Sequence, residues 1–199
     1  VEELVMGVER KITGGDQELQ GVIRLTVPPA GSLGFLVGRL AAFAKQYPGI
    51  DLELASSFDT ADLSRREADI AVRVMPAGLN PPEYLIGRRV ASITASAYVH
   101  KDLLNPDSPD DVSHLSWIGK NPIDQKEEWL AATNFPDQPV RHAIPDYRLV
   151  ADAVRYKMGM AYMPCFLAFQ DPVVVRVPGA AVVHQSDMWV LTHKDLRLS

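Results

Sequence analysis

The chain has 199 residues, 47% of them hydrophobic and 23% charged, a composition that excludes disordered and low-complexity architectures. At this length one or two domains can bury a core without staples, and the single cysteine, Cys165, cannot form an internal bridge. Lysine plus arginine number 20 against 25 aspartates and glutamates, a net charge of -5, which is opposite in sign to a duplex-binding surface.

Val1 to Ile12 spaces its apolar residues Leu4, Val5, Val8 and Ile12 as one face of a helix, stopped by Gly14-Gly15. The chain opens Val1-Glu2-Glu3 without an initiator methionine or a secretory leader, which leaves a fragment and a mature chain both open. Val22 to Val27 reads as a buried strand ended by Pro28-Pro29, after which Ser32 can cap a helix running to Tyr47. Leu33, Leu36, Val37, Leu40, Phe43, Ala44 and Tyr47 put one continuous apolar face on that helix. The uncharged run Leu25 to Gly38 contains these prolines and three glycines and falls short of the roughly 20 apolar residues of a membrane span.

After Pro48-Gly49, Ile50, Leu52 and Leu54 alternate with Asp51 and Glu53 as a strand with one wet face. A short helix over Asp62 to Glu67 and a buried strand over Asp69 to Val74 follow. Strand, helix, strand, helix, strand specifies a mostly parallel sheet. Tyr84 to Val99 is a long strand carrying Ala91, Ser92, Thr94, Ala95, Ser96 and Ala97, small residues suited to a close passage between two lobes. Beyond it the pattern predicts a helical turn at Pro109 to Val112, strands at Leu115 to Gly119 and Val140 to Ile144, and a helix around Lys126 to Ala132. Asp146 caps a helix with Leu149, Val150, Ala153 and Val154 inward, ending near Met158-Gly159. Strands at Met160 to Met163, Val173 to Val177 and Met188 to His193 complete the chain.

Catalytic patterns are weak. His100, His114, His142, His184 and His193 never form the i, i+4 pair that sets two imidazoles on one helical face for a metal, and surface positions are expected for them. Cys165 has no nucleophile signature around it and reads as packing material. No cofactor motif is present in Gly31-Ser32-Leu33-Gly34 either. The chemistry that remains is binding: free N–H groups at the start of the first long helix suit an anion, and Ser56-Ser57 and Asp59 follow the second strand, where open parallel sheets gather ligands.

Several segments together resemble the effector-binding domain of LysR-type transcriptional regulators. The carriers are Gly21-Val-Ile-Arg24-Leu-Thr-Val27, Phe43-Ala-Lys-Gln-Tyr47-Pro48-Gly-Ile-Asp-Leu52, Asp62-Leu63, Ala68-Asp69-Ile-Ala-Val-Arg73, Ala95-Ser96-Ala97-Tyr98-Val99, Gly159-Met-Ala-Tyr-Met-Pro164 and Trp189-Val-Leu-Thr-His193. The resemblance implies an α/β fold of two Rossmann-like lobes of the periplasmic-binding-protein type joined by two crossover strands. Lobe I would be 21–94 with a C-terminal strand in 187–199, lobe II 95–186, and 1–20 the end of a linker helix and connector from an absent N-terminal winged helix-turn-helix. The chain would then be a fragment of a cytoplasmic regulator, with no catalytic role, metal or cofactor of its own. A small-molecule effector would lie in the inter-lobe cleft against Ala30, Gly31, Ser32, Ser56, Ser96, Gly119, Lys120, Tyr147 and Arg148, and Lys120 and Arg148 would favour an anion.

The family commonly has serine or threonine where Ala30 stands and glycine where Lys157 stands. It also implies a homodimer or tetramer in which the helix Leu33 to Tyr47 lies antiparallel to a partner's Tyr147 to Met158, with Arg39, Lys45 and Asp152 near that interface. DNA would be bound only through the missing domain, and no membrane is involved. Two alternatives use the same scaffold: a solute-binding protein of a transport system, and an enzyme with Cys165 or Lys120 in the cleft.

Overall fold

A computed structural model describes residues 19–28, 34–56, 68–123, 128–169 and 171–193. The expected helices at Val1 to Ile12 and Asp62 to Glu67, and the turn Ala30, Gly31 and Ser32, lie outside the described residues. Two units emerge, the first holding the described residues up to 92 and from 186 onward, the second those from 93 to 185. The chain is mixed α/β, as expected.

In the first unit β1 (Gly21–Val27) pairs in parallel with β2 (Ile50–Ser56) along its whole length, from Gly21 opposite Ile50 to Val27 opposite Ser56. It is also parallel to β3 (Ile70–Pro76), through Leu25 opposite Ile70. The return strand β9 (Val183–His193) runs antiparallel to β3, from Ala71 opposite Leu191 to Pro76 opposite Ser186. The parallel β1–β2 pair needs a crossover, and α1 (Gly34–Gln46) supplies it. Leu36 and Leu40 are buried one turn apart, but Val37 is 58% exposed, so the stripe facing the sheet is narrower than the sequence spacing predicts. Ala68, Ala71, Leu85 and Leu191 form the buried cluster of this unit. Leu54 is also a departure, for it is 47% exposed on the face of β2 expected to be dry.

In the second unit the strand order is β4 (Leu85–His100), β7 (Met160–Pro164), β5 (Trp117–Gly119), β6 (Val140–Ala143). Here β5 is parallel to both β6 and β7, β7 is antiparallel to β4, and β8 (Val174–Arg176) adds to β4 through Val99 opposite Val175. The helix α2 (Tyr147–Arg155) covers one face, burying Val150, Ala153 and Val154 against Ile118, Ala161 and Met163. Across the other face Trp117 meets Trp129 edge-on at 4.9 Å, and Trp129 stacks on Tyr162 at 5.6 Å. The indole N–H of Trp117 donates to the Phe135 carbonyl at 3.0 Å, so this fully buried ring leaves no orphan donor.

Four local expectations change. Pro109 to Val112 is built of turns, and a 3-10 helix stands instead at Lys101–Leu103, where the Nδ1 of His100 accepts from the Asp102 N–H. His100 is therefore buried rather than on the surface. The helix around Lys126 to Ala132 is a 3-10 helix over Glu128–Ala132. Leu149, expected inward, is 59% exposed, because α2 starts at Tyr147 and turns the Val150, Ala153 and Val154 stripe to the sheet. Beyond Arg155, Met158 N–H donates to the Ala153 carbonyl and Lys157 N–H to the Val154 carbonyl, a Schellman closure that puts Lys157 in the left-handed region at φ 64°.

Candidate functional site

The parallel strands of the second unit end at a common edge, and open α/β sheets gather ligands outside the carboxyl ends of such strands. Lys120 follows β5 directly, Cys165 follows β7, and the connection after β6 leads through Asp146 into Tyr147. This brings together two expected site residues that are 27 positions apart in the chain: the Lys120 Nζ donates to the Tyr147 hydroxyl, and the same ammonium lies 3.9 Å from the centroid of the Tyr147 ring. That hydrogen bond and the cation–π contact help to fix the direction of the cation. Gly119 ends the strand as a buried residue, its carbonyl accepting from Ile144 N–H at 2.8 Å, and so sets the level at which Lys120 leaves the sheet.

Asp146 closes the N-terminus of α2. Its Oδ1 accepts from the N–H groups of Arg148 and Leu149 at 2.8 and 3.0 Å, so the helix dipole is already met by a carboxylate and the positive charge of this edge comes from Lys120. Arg148 does not join it. Successive helical residues do not share a face, and Arg148 Nε lies along its own helix, 3.9 Å from Asp152 Oδ2.

Ser96 is fully buried, 0% exposed, and its hydroxyl donates to the Ala181 carbonyl at 2.8 Å. Ser56 ends β2 in the first unit and is exposed. Ala30, Gly31 and Ser32 lie outside the described residues.

Sequence reasoning passed over three aromatic and cationic groups. Burial, and then a hydrogen bond with the Cys165 thiol, push the Tyr98 hydroxyl above its usual range. Burial also raises Tyr162, with Cys165 and Tyr147 beside it. Both phenols therefore keep their protons at neutral pH and can act as donors. In the first unit Arg73 is 4% exposed, donating to the carbonyls of Thr26 and Val72 at 3.2 and 2.8 Å and to the Thr26 hydroxyl at 2.9 Å. Tyr98, Tyr162 and Arg73 all sat inside the segments that carried the family resemblance, and an arginine within an otherwise apolar strand was the available signal. Among the described residues no group of three or more His, Cys, Asp or Glu can hold a metal ion, and no helix is long and apolar enough to cross a membrane.

Comparison with known proteins agrees with this architecture. The model of the LysR substrate binding domain matches residues 16–199. A curated relative, the uncharacterized HTH-type transcriptional regulator YhjC of Escherichia coli (strain K12), is 30% identical over 108 residues, which are 52% of this chain and 35% of the relative. The chain thus matches about a third of that relative's length. Among solved structures, CrgA, a LysR-type transcriptional regulator from Neisseria meningitidis, aligns with a TM-score of 0.73 at 19% identity, covering 99% of this chain and 71% of that one. The CrgA regulatory domain alone aligns at 0.69 and 18% identity over 91% and 93% of the two chains. The regulatory domain of AphB from Vibrio vulnificus aligns at 0.62 and 20% identity over 89% and 96%.

Proposed function

Because the chain belongs to the family of LysR substrate-binding domains, we propose that it is the effector-sensing part of a longer regulator and that the effector is a small anion. The observation carrying the anionic reading is Lys120, oriented by the Tyr147 hydroxyl and ring at the carboxyl edge of β5, β6 and β7. A carboxylate would take the Lys120 ammonium as its counter-charge and a hydrogen bond from the Tyr147 hydroxyl as its second contact. In this reading the effector surface comprises Gly119, Lys120 and Tyr147 in the 95–186 lobe, and Ala30, Gly31, Ser32 and Ser56 in the 21–94 lobe that 187–199 completes. Arg148 contributes charge from the neighbouring helical face, and Ser96 supports the strand beneath.

The segment 1–20 would be the end of the linker from a winged helix-turn-helix, through which alone DNA is bound, in the cytoplasm. A ligand moves such a system only by preferring one arrangement of it over another. Self-association as a dimer or tetramer through α1 and α2 is supported by Val37 and Leu149, large apolar side chains left 58% and 59% exposed on those helices. Nothing in the comparisons supports a transport protein, and the relatives are regulators rather than enzymes.

The test is a thermal-shift and calorimetric series with benzoate, succinate and glutamate against the matching neutral amides. At least one carboxylate is expected to raise the melting temperature, and Lys120→Met to weaken its binding by about tenfold or more, the scale of a lost charge-assisted hydrogen bond. Amides that bind as well as the acids, or a Lys120→Met variant that keeps full affinity, would refute the anionic reading.

A further inference from the structure

His100 ends β4 and is buried in the second unit, 6% exposed. Its Nδ1 accepts a hydrogen bond from the Asp102 N–H at 3.1 Å, the contact that caps the 3-10 helix Lys101–Leu103. A ring nitrogen that accepts carries no proton, so the ring is neutral with its proton on Nε2. The Asp102 carboxylate lies beside the same nitrogen, its Oδ2 3.8 Å from Nδ1, and is held there by Lys157 Nζ at 2.8 Å. Nδ1 therefore faces two groups of opposite demand, an N–H that needs an acceptor and a carboxylate that needs a donor. One proton decides which of them it serves.

Strand alternation puts His100 on the face of the sheet that α2 covers, since Tyr98 packs with Val150 and Val154 while Val99 packs with Trp117. Charges reach it from several segments. The 3-10 helix brings Lys101 and Asp102, and the turn beyond α2 brings Lys157. Asp171, ahead of β8, is paired with Arg155 of α2 and feels the His100 charge. On β8 Val174 lies opposite His100, and Arg176 lies opposite Tyr98. His114 meets the far end of the 3-10 helix, its Nε2 2.8 Å from the Leu103 carbonyl oxygen, a contact that needs only an N–H and survives protonation. Asp102, by the Lys157 hydrogen bond, and Asp171, by those of Arg155 and Val173 against the effect of burial, are both held below the ordinary carboxylate range. Both carboxylates therefore stay ionised while a histidine titrates, and a proton entering this cluster goes to His100.

We propose that His100 is a proton-operated latch between the end of β4 and the turn that closes α2. Neutral, it holds the Asp102 N–H and leaves the Asp102 carboxylate to Lys157. When Nδ1 takes a proton from solvent it becomes a donor, releases the N–H, turns to Asp102 Oδ2 and competes with Lys157 for that oxygen. Lys157 stands in the turn whose N–H groups close α2 onto the Ala153 and Val154 carbonyls, so weakening its tether reaches the end of that helix. The latch lies within the second unit and stands whether or not the effector is an anion.

The test is a nitrogen–proton NMR titration of the chain from about pH 8 to about pH 5, the span of ordinary histidine titration. At the upper end the His100 ring should carry its proton on Nε2. As that ring titrates, the Asp102 amide should exchange about fivefold faster once intrinsic rates are divided out, the effect of one lost hydrogen bond. The Lys157 and Met158 amides should shift with the same midpoint. His100→Asn supplies a cap oxygen that does not titrate and should abolish these responses. Lys157→Met frees the carboxylate and should move the midpoint to higher pH, whereas His114→Gln should leave it in place. Should the asparagine variant not fold, the wild-type tautomer and the Lys157→Met midpoint decide the matter. A ring with its proton on Nδ1 at the upper end, an Asp102 amide that ignores the titration, a midpoint that Lys157→Met does not raise, or a response that persists in His100→Asn would each overturn the proposal.

Discussion

Lys157 shows how a lysine can hold a backbone conformation that favours glycine. It occupies the position after the α2 cap where a Schellman closure demands φ above zero, and at 64° it is the one non-glycine among the described residues with positive φ. Glycine is usual there because it has no Cβ to crowd the preceding turn. Lysine keeps the conformation and uses its length, its Nζ reaching Asp102 Oδ2 at 2.8 Å. That hydrogen bond holds the Asp102 carboxyl below its ordinary range, helped by the charges of Lys157, His100 and Lys101. Lys157→Gly and Lys157→Ala both lose the ion pair and differ only in the strain of a Cβ. The glycine variant should therefore be the more stable of the two by about 1 kcal/mol in urea unfolding. Equal stabilities would mean that the left-handed turn has relaxed. Gly87 makes the opposite case, since an added Cβ meets backbone on β9. Gly87→Ala should cost roughly 2 kcal/mol, typical of overpacking, where substitution at Gly38, with open space around it, costs nothing from contact.

At the scale of elements, Asp171 fastens α2 to the start of β8. Its Oδ2 accepts from Arg155 Nε at 2.5 Å and its Oδ1 from Val173 N–H at 3.1 Å. Burial alone would raise this carboxyl, but the Arg155 and Val173 hydrogen bonds with the charges of Arg155 and His100 outweigh it and hold the pKa below the usual value. A depressed carboxyl contributes stability that is complete above its unfolded pKa of about 4 and is lost as pH falls through the lower folded value. The stability gap between wild type and Arg155→Gln should accordingly be constant from neutral pH down to about 5 and shrink as the pH approaches 3. Urea titrations at pH 7 and pH 3 decide it, and a gap of equal size at both would show that Arg155 acts by packing.

These elements also mark what the sequence could disclose. Asp146 ahead of an apolar 3–4 spacing identified the cap and, apart from Leu149, the inner stripe of α2, because both depend on residues within one turn. The burial of His100 depended on β8 closing over the end of β4, from more than 70 residues away, and no local pattern signals that. Lys120 and Tyr147 were likewise joined through family resemblance; what brings them together physically is the parallel pairing of β5 with β6, which carries both to one edge of the sheet.

Over the whole molecule, the first unit depends on chain from the far end of the sequence. The first is a three-stranded parallel start, β2-β1-β3, completed by β9, whose Leu191 pairs with Ala71. Until β9 arrives, β3 presents an open edge and Ala68, Ala71 and Leu85 lack Leu191, the fourth member of their buried cluster. Because β4 and β9 each run through both units, neither unit is complete without a strand that the other also holds. The expected result is one cooperative unfolding transition and not two. Tryptophan placement allows a direct check, with Trp189 packed on the first cluster and Trp117 and Trp129 in the core of the second. Trp189→Phe should leave fluorescence from the second unit alone, and Trp117→Phe with Trp129→Phe that from the first. Their urea midpoints, each compared with far-UV circular dichroism of the same variant, should coincide. Separate midpoints would show that the first unit opens by itself while the second remains folded, and would place its stability at the low end set by long-range β pairing.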